Sequence, residues 1–476
     1  MPARIASRVP GSGREQNQPV AASRVARAQR AYCTSKRADA VALLHPSGRR
    51  RSAIVRARWS SLAFGSLREA CVRRSPLPLD TIVIAGGSLA GIRCAEALRR
   101  RGFSGRLVFA GAERERPYDR PPLSKELLRG DREPDQIRLN KPDAFDALEL
   151  DLRLGVRAHS LDPVARRIGL EGGESIAYDG LVIATGAAAR PLPGSPALAG
   201  VFTLRTLDDA LALRAELERT PRVVVVGAGF IGAEVAATCR RRGLDVTIVE
   251  PLPAPMARVL APEIGAVCAG VHRDQGVDLR LGVGVEALLG GARVERVRLS
   301  DGSEIPAEVV VVGIGAVPAT DWLADSGLEI GDGVICDATC ATSAPGVVAA
   351  GDVARWYHEG YGESIRIEHW TNAVEQADAA ATRLLDGRSA PPFAPIPFVW
   401  SDQYDLKIQA AGRIAPDDEV FVAHGSLAER RFVALFGRKG ALRGALAINR
   451  VRQLMGYRRM MREGASFEAA VAAARA

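Results

Sequence analysis

At 476 residues, a quarter of them charged, the chain has the length of about three domains and the composition of a mixed α/β protein with room for substantial cores. No uncharged apolar stretch approaches the roughly 20 residues of a membrane-crossing helix. The formal charge of +9 suggests a nucleic-acid binder only until it is divided: residues 1–76 hold 16 Lys and Arg against 3 acids, and residues 77–476 hold 48 against 52.

All of the excess charge therefore sits in a leading segment rich in Arg, Ala and Ser, without apolar periodicity, which is expected to be disordered. Its composition resembles an organelle transit peptide, and a basic arm for an anionic partner is a second reading. The preferred one is that translation starts near Leu77, because the first domain looks complete without the extension. Seven cysteines, Cys33, Cys71, Cys94, Cys239, Cys268, Cys336 and Cys340, form no C-x-x-C pair. They are expected to be reduced, in a reducing compartment such as the cytoplasm, and no metal site is expected.

The first structured stretch, TIVIAGGSLAG at 81–91, reads as strand, tight turn and helix. Such a turn turns backbone N–H groups toward a dinucleotide pyrophosphate at a helix N-terminus. Gly86 and Gly91 occupy the first and last places of G-x-G-x-x-G, but the middle one is Ser88, with Ala90 after it, so an ordinary βα turn is an equal reading. A second strand, Leu107 to Ala110, leads to Glu113, where a βαβ unit places an acid on an adenosine ribose; a solvated loop acid is the alternative. The proline-dense ERPYDRPPLSKELLRG then predicts an ordered loop with a helix starting at Ser124, placing Arg120 and Lys125.

Gly180 to Gly186, GLVIATG, predicts a buried strand with Thr185 and Gly186 in its turn, followed by Arg190 among prolines. The glycine motif then recurs in full: Arg222 to Glu250 runs strand, Gly227, Gly229, Gly232, amphipathic helix, second strand and a closing acid 18 residues after Gly232. Glu250 selects the ligand as well. A carboxylate accepts both ribose hydroxyls of NAD, whereas a 2′-phosphate of about −1.5 to −2 charges beside it is repelled, for a preference of about tenfold to hundredfold after screening. NADH is the expected coenzyme. Further strands end at Gly313 and Gly315 and, in GVVAAGD at 346–352, at Asp352, which is placed to accept from a ribityl hydroxyl or else to cap a helix. Two dinucleotide motifs with two late strand ends predict one domain interrupted by another, one cofactor permanent and the other exchanging.

PYDRPPLSK at 117–125, ATG at 184–186, GAGFIGAE at 227–234, AAGD at 349–352, IEHWTNAVEQA at 367–377 and WSDQYDLKIQ at 400–409 together resemble the oxygenase-coupled NADH:ferredoxin reductases over about 400 residues, with Ser88 as a departure. The resemblance implies a glutathione-reductase-like α/β fold without its redox disulfide: two Rossmann-like dinucleotide-binding domains, the FAD domain (77–186 and 314–392) interrupted by the NAD domain (187–313), and a C-terminal α+β domain (393–476). It implies that Lys125 and Glu234 meet near flavin N5, where an ammonium offsets the negative charge that hydride transfer adds; a structural ion pair is the alternative. It assigns Glu368, His369 and Trp370, ahead of a helix-patterned run, to the flavin's pyrimidine edge, with no acid–base work for His369. Trp370 and Trp400 are candidates for packing on the flavin and bordering the electron exit, or are core tryptophans. Ser88, Ala90, Thr185, Gly186 and Arg190 join the FAD set, and Phe230, Ile231, Arg258 and Gly315 the NAD set.

The activity implied is transfer of a hydride from NADH to FAD and of single electrons to a [2Fe–2S] ferredoxin or a rubredoxin that supplies an oxygenase. Arg450, Arg452, Arg458, Arg459 and Arg462 are candidates for the acidic partner or a solvated helix face. Two rivals remain at this stage: a reductase of a small acceptor such as a quinone, oxygen or monodehydroascorbate, and an apoptosis-inducing-factor-like redox sensor whose basic arm binds nucleic acid or a protein. A homodimer is one open assembly state.

Overall fold

The structure is a computed structural model that describes residues 79–475, so the basic leading segment, Cys33 and Cys71 lie outside the described residues. The strand Thr81–Ala85 sits at the centre of a five-stranded sheet, flanked by Gly180–Ile183 and Val347–Ala349 on one side and by Arg106–Gly111 and Leu150–Leu154 on the other. All pairs are parallel. Strands buried on both faces need continuous apolar runs, which Ile82, Val83 and Ile84 supply. Helix Leu89–Arg100 packs on helix Trp370–Asp386, and the core around them is rich in small residues, Ala95, Ala97, Ala377, Ala380 and Ala381 among them.

A second parallel sheet, ordered Asp278–Leu281, Val246–Glu250, Val223–Val226, Val309–Val312 and Val201–Thr203, comes from the intervening chain. Its two central strands are each four buried valines. The chain passes between the two sheets along two short segments, Ala187–Ala189 and Ala316–Pro318, which pair antiparallel with each other.

The last part is a five-stranded antiparallel sheet, ordered Phe398–Gln403, Leu406–Gly412, Ala441–Ile448, Arg431–Arg438 and Glu419–Ser426, followed by helices Val451–Arg462 and Phe467–Arg475. One face of this sheet, with Leu406, Ile408, Phe432 and Phe436, shares a core with Ala237, Ile264, Cys268 and Val271. That core ties the sheet to helices Phe230–Arg241 and Pro262–Asp274.

One local expectation is corrected. The helix expected at Ser124 begins at Glu126; Pro121–Ser124 is a 3₁₀ turn, and Lys125 stands between them with non-helical backbone. Lys125, at φ −124° and ψ −102°, leaves the helical path, so the α-helix starts only after it.

Candidate functional site

The carboxyl ends of three strands of the first sheet open onto a cleft of about 780 Å³. From the predicted set, Ser88, Ala90, Arg120, Lys125, Gly186, Asp352, Glu368, His369, Trp370 and Trp400 line it, as do Phe230, Ile231, Glu234 and Arg258 from the second unit. The turn that opens it has no room for side chains at its glycines. A Cβ on Gly86, whose φ is +131°, would lie 2.0 Å from the carbonyl oxygen of Ala184, and one on Gly91 would lie 2.0 Å from that of Gly86. The strand, turn and helix are thus held backbone to backbone, leaving the first N–H groups of helix Leu89–Arg100 facing the cleft.

Lys125 and Glu234 meet as expected: Nζ lies 2.6 Å from Oε2, with Glu234 only 3% exposed. Ser124 Oγ donates to the same oxygen at 2.6 Å, and Ser401 Oγ donates to Oε1 at 2.7 Å. A buried carboxylate with three donors is fixed in direction. It lies where the two units share the cleft.

On the other wall, Arg205 Nη2 pairs with Asp352 Oδ2 at 2.7 Å, and Arg366 Nη1 donates to the Asp352 carbonyl at 3.1 Å and to Glu368 at 2.5 Å. His369 is the N-cap of helix Trp370–Asp386 but makes no side-chain capping bond, and the first turn of that helix has no acid. The positive helix end therefore stays available to a ligand in the cleft. Burial pushes the His369 pKa down to about 4, so the ring is neutral, and its buried Nδ1 has no hydrogen-bond partner among the described residues. Trp370 Nε1 donates to Asp119 Oδ1 at 2.8 Å, and its ring meets that of Trp400 edge to face, centroids 5.9 Å apart.

Three predicted residues sit elsewhere. Glu113 is not among the cleft-lining residues; it pairs with Arg120 at 2.6 Å and accepts from Tyr118 OH. Arg190 is exposed and outside the cleft, its backbone N–H bonded to the Gly315 carbonyl. Thr185 turns its hydroxyl to the Ala319 carbonyl at 2.8 Å. Sequence reasoning missed Arg205 and Arg366, which no local pattern marks, and Asp119 and Ser401, which stood in plain view inside quoted motifs.

In the second unit, a Cβ on Gly232 would lie 2.1 Å from the Gly227 carbonyl oxygen, while one on Gly229 would meet nothing within 4 Å. The last glycine serves helix–strand packing and the middle one leaves space for a pyrophosphate. Glu250 Oε2 accepts from Ala228 N at 2.7 Å and Oε1 from Leu252 N at 3.0 Å, which aims the carboxylate beside the glycine turn. Among the described residues no cluster of His, Cys, Asp and Glu could hold a metal ion, and all five cysteines are buried and free. Burial pushes the thiols of Cys94, Cys239, Cys268 and Cys336 up to about 12, so they stay protonated.

The donors and spaces present fit a flavin dinucleotide in the cleft: a glycine turn packed backbone to backbone, an uncapped helix end and an orphaned buried imidazole nitrogen. Comparison with known proteins agrees. Residues 80–377 match the pyridine nucleotide-disulphide oxidoreductase family and residues 398–476 the reductase C-terminal family. The chain is 38% identical to the ferredoxin–NAD(+) reductase component of an anthranilate 1,2-dioxygenase system from Burkholderia cepacia, over 81% of this chain and 95% of that one. It superposes on the ferredoxin reductase for the CYP199A2 system from Rhodopseudomonas palustris with a TM-score of 0.78 at 38% identity, covering 81% and 95% of the two chains. The covalent putidaredoxin reductase–putidaredoxin complex matches with a TM-score of 0.77 at 32% identity, covering 80% and 93%. With both glycine turns, the cleft between them and the antiparallel C-terminal sheet accounted for, the chain belongs to the pyridine nucleotide-disulphide oxidoreductase family and is an oxidoreductase that uses FAD and NAD(H).

Proposed function

We propose that the chain is an NADH:ferredoxin reductase, taking a hydride from NADH and delivering electrons one at a time to a [2Fe–2S] ferredoxin that serves an oxygenase. The observation that carries this is the Lys125–Glu234 pair at 2.6 Å, contributed by the two different dinucleotide units to one cleft. The names of the relatives, reductase components of oxygenase systems, support the choice of acceptor.

When bound, FAD supplies the step from a two-electron hydride to single electrons. The chain's own residues hold and tune it. The turn from Gly86 to Gly91 offers backbone N–H groups to the pyrophosphate, and Asp352, steadied by Arg205, accepts a ribityl hydroxyl. Lys125, fixed by Glu234, places an ammonium beside the reacting end of the cleft, and the start of helix Trp370–Asp386 adds its dipole; both favour negative charge arriving there. Trp370 and Trp400 exclude water and border the way out for electrons. Gly227, Gly229 and Gly232 receive the NADH pyrophosphate and Glu250 its ribose. Residues 77–186 and 314–392 are read as the FAD-binding unit, 187–313 as the NAD-binding unit and 393–476 as the C-terminal unit. The protonated, unpaired thiols suit the cytoplasm.

Stopped-flow mixing tests this. NADH should bleach the flavin in a single fast phase, and turnover should become fast only when a [2Fe–2S] ferredoxin is added. Fast turnover with a small quinone alone, or a protein that retains no flavin, would overturn it.

A further inference from the structure

Behind the Lys125–Glu234 pair runs a line of buried polar groups that never reaches the cleft. Ser401 Oγ lies 2.7 Å from Glu234 Oε1, Gln403 Nε2 lies 3.2 Å from Ser401 Oγ, His272 Nε2 lies 3.2 Å from Gln403 Oε1, and Tyr404 OH lies 3.2 Å from His272 Nδ1. Ser401, Gln403 and His272 are at most 1% exposed. Such a line in a packed core is costly unless every member is satisfied.

Chemistry fixes its direction. The Gln403 amide NH₂ can only donate, so Ser401 Oγ takes its bond from it and gives its own proton to Glu234 Oε1. The Gln403 carbonyl then faces His272, whose Nε2 must carry the proton, and Tyr404 OH must donate to the bare Nδ1. Burial pushes the His272 pKa down to about 4 and raises that of the Tyr404 phenol, so both keep the states this requires. Every donor in the line points toward Glu234.

The line also joins three elements: Glu234 is on helix Phe230–Arg241, His272 on helix Pro262–Asp274, and Ser401 and Gln403 on the first strand of the C-terminal sheet. Trp400, which lines the cleft, adjoins Ser401 on the other face of that strand. The strand ends at Gln403 and Tyr404 opens the turn that follows it, where its ring meets His272 edge to face with centroids 5.3 Å apart.

We infer that Ser401, Gln403 and His272 are positioning residues, a one-directional relay of hydrogen bonds by which the C-terminal sheet fixes the Glu234 carboxylate and, through it, Lys125. This rests on the reading of Lys125 and Glu234 as the pair that assists hydride transfer.

Two measurements on the full chain test it. In protein labelled with ¹⁵N-histidine, His272, identified by its loss in His272→Gln, should show the Nε2–H tautomer by NMR. A Nδ1–H tautomer, or a rapidly exchanging mixture, would overturn the relay whatever the protein reduces. In stopped-flow, Ser401→Ala should lower the limiting rate of flavin reduction by NADH about tenfold, as loss of one bond to a buried charge does, with the NADH Kd within about twofold and most of the rate restored in Ser401→Thr. An unchanged limiting rate in Ser401→Ala would remove the positioning role. Failure of NADH to reduce the wild-type flavin would sink the proposed function and that role together, leaving the tautomer to decide the relay's geometry by itself.

Discussion

At the head of helix Leu89–Arg100 the middle fingerprint position is Ser88, whose Oγ accepts from Arg120 Nε at 3.2 Å; at the head of helix Phe230–Arg241 the same position is Gly229, with open space around it. The acids that close the two units differ in the same sense. Glu113 is held by the side chains of Arg120 and Tyr118, and Arg120 also reaches the Arg205 carbonyl. Among the described residues, Glu250 is held only by backbone N–H groups. One βαβ plan thus yields two kinds of pocket: the first is laced by side chains from distant segments, as suits a resident cofactor, and the second is a backbone rim that a coenzyme can enter and leave. Packing at the last glycine is nearly the same in both, so retention is set by what surrounds the turn.

That contrast can be broken most severely at the last glycines. Gly91→Ala forces a Cβ to 2.0 Å from a backbone oxygen and should reduce bound flavin, read from visible absorbance per protein, to about a tenth or less. Gly232→Ala, with the same clash at 2.1 Å, should leave flavin content within about twofold while weakening NADH binding at least about tenfold. Flavin loss from both would show that the two pockets are not independent. Lys125→Met comes next: the limiting rate of flavin reduction should fall about a hundredfold in stopped-flow, with flavin retained. Glu250→Ala should narrow the preference for NADH over NADPH, as kcat/KM, by about tenfold. Ser88→Gly, which makes the first fingerprint like the second, should change flavin affinity in equilibrium dialysis by less than about threefold, since it removes one long hydrogen bond. A larger loss would make Ser88 a principal holder of the cofactor.

How much of this was legible in the sequence follows from how local each feature is. Both fingerprints, the valine strands and the closing acid Glu250 are written in consecutive residues and obey period and spacing rules. Lys125 and Glu234, 109 residues apart, came only through the family resemblance. The arginines that hold the flavin-side wall were not legible, because Arg205 meets Asp352 across 147 residues and neither spacing nor periodicity records such a pairing. Nor were the bonds that Glu113 accepts from Arg120 and Tyr118 legible, since both donors come from the following loop. The helix start slipped by two residues because Lys125 leaves the helical path ahead of it.

The paired segments Ala187–Ala189 and Ala316–Pro318 mean that the chain departs from the flavin-side sheet and returns to it through adjacent doorways. The intervening coenzyme unit is therefore a cassette with its two ends clipped together. A cassette of altered coenzyme preference, exchanged at these two points, would meet the same flavin, the same lysine and the same exit for electrons.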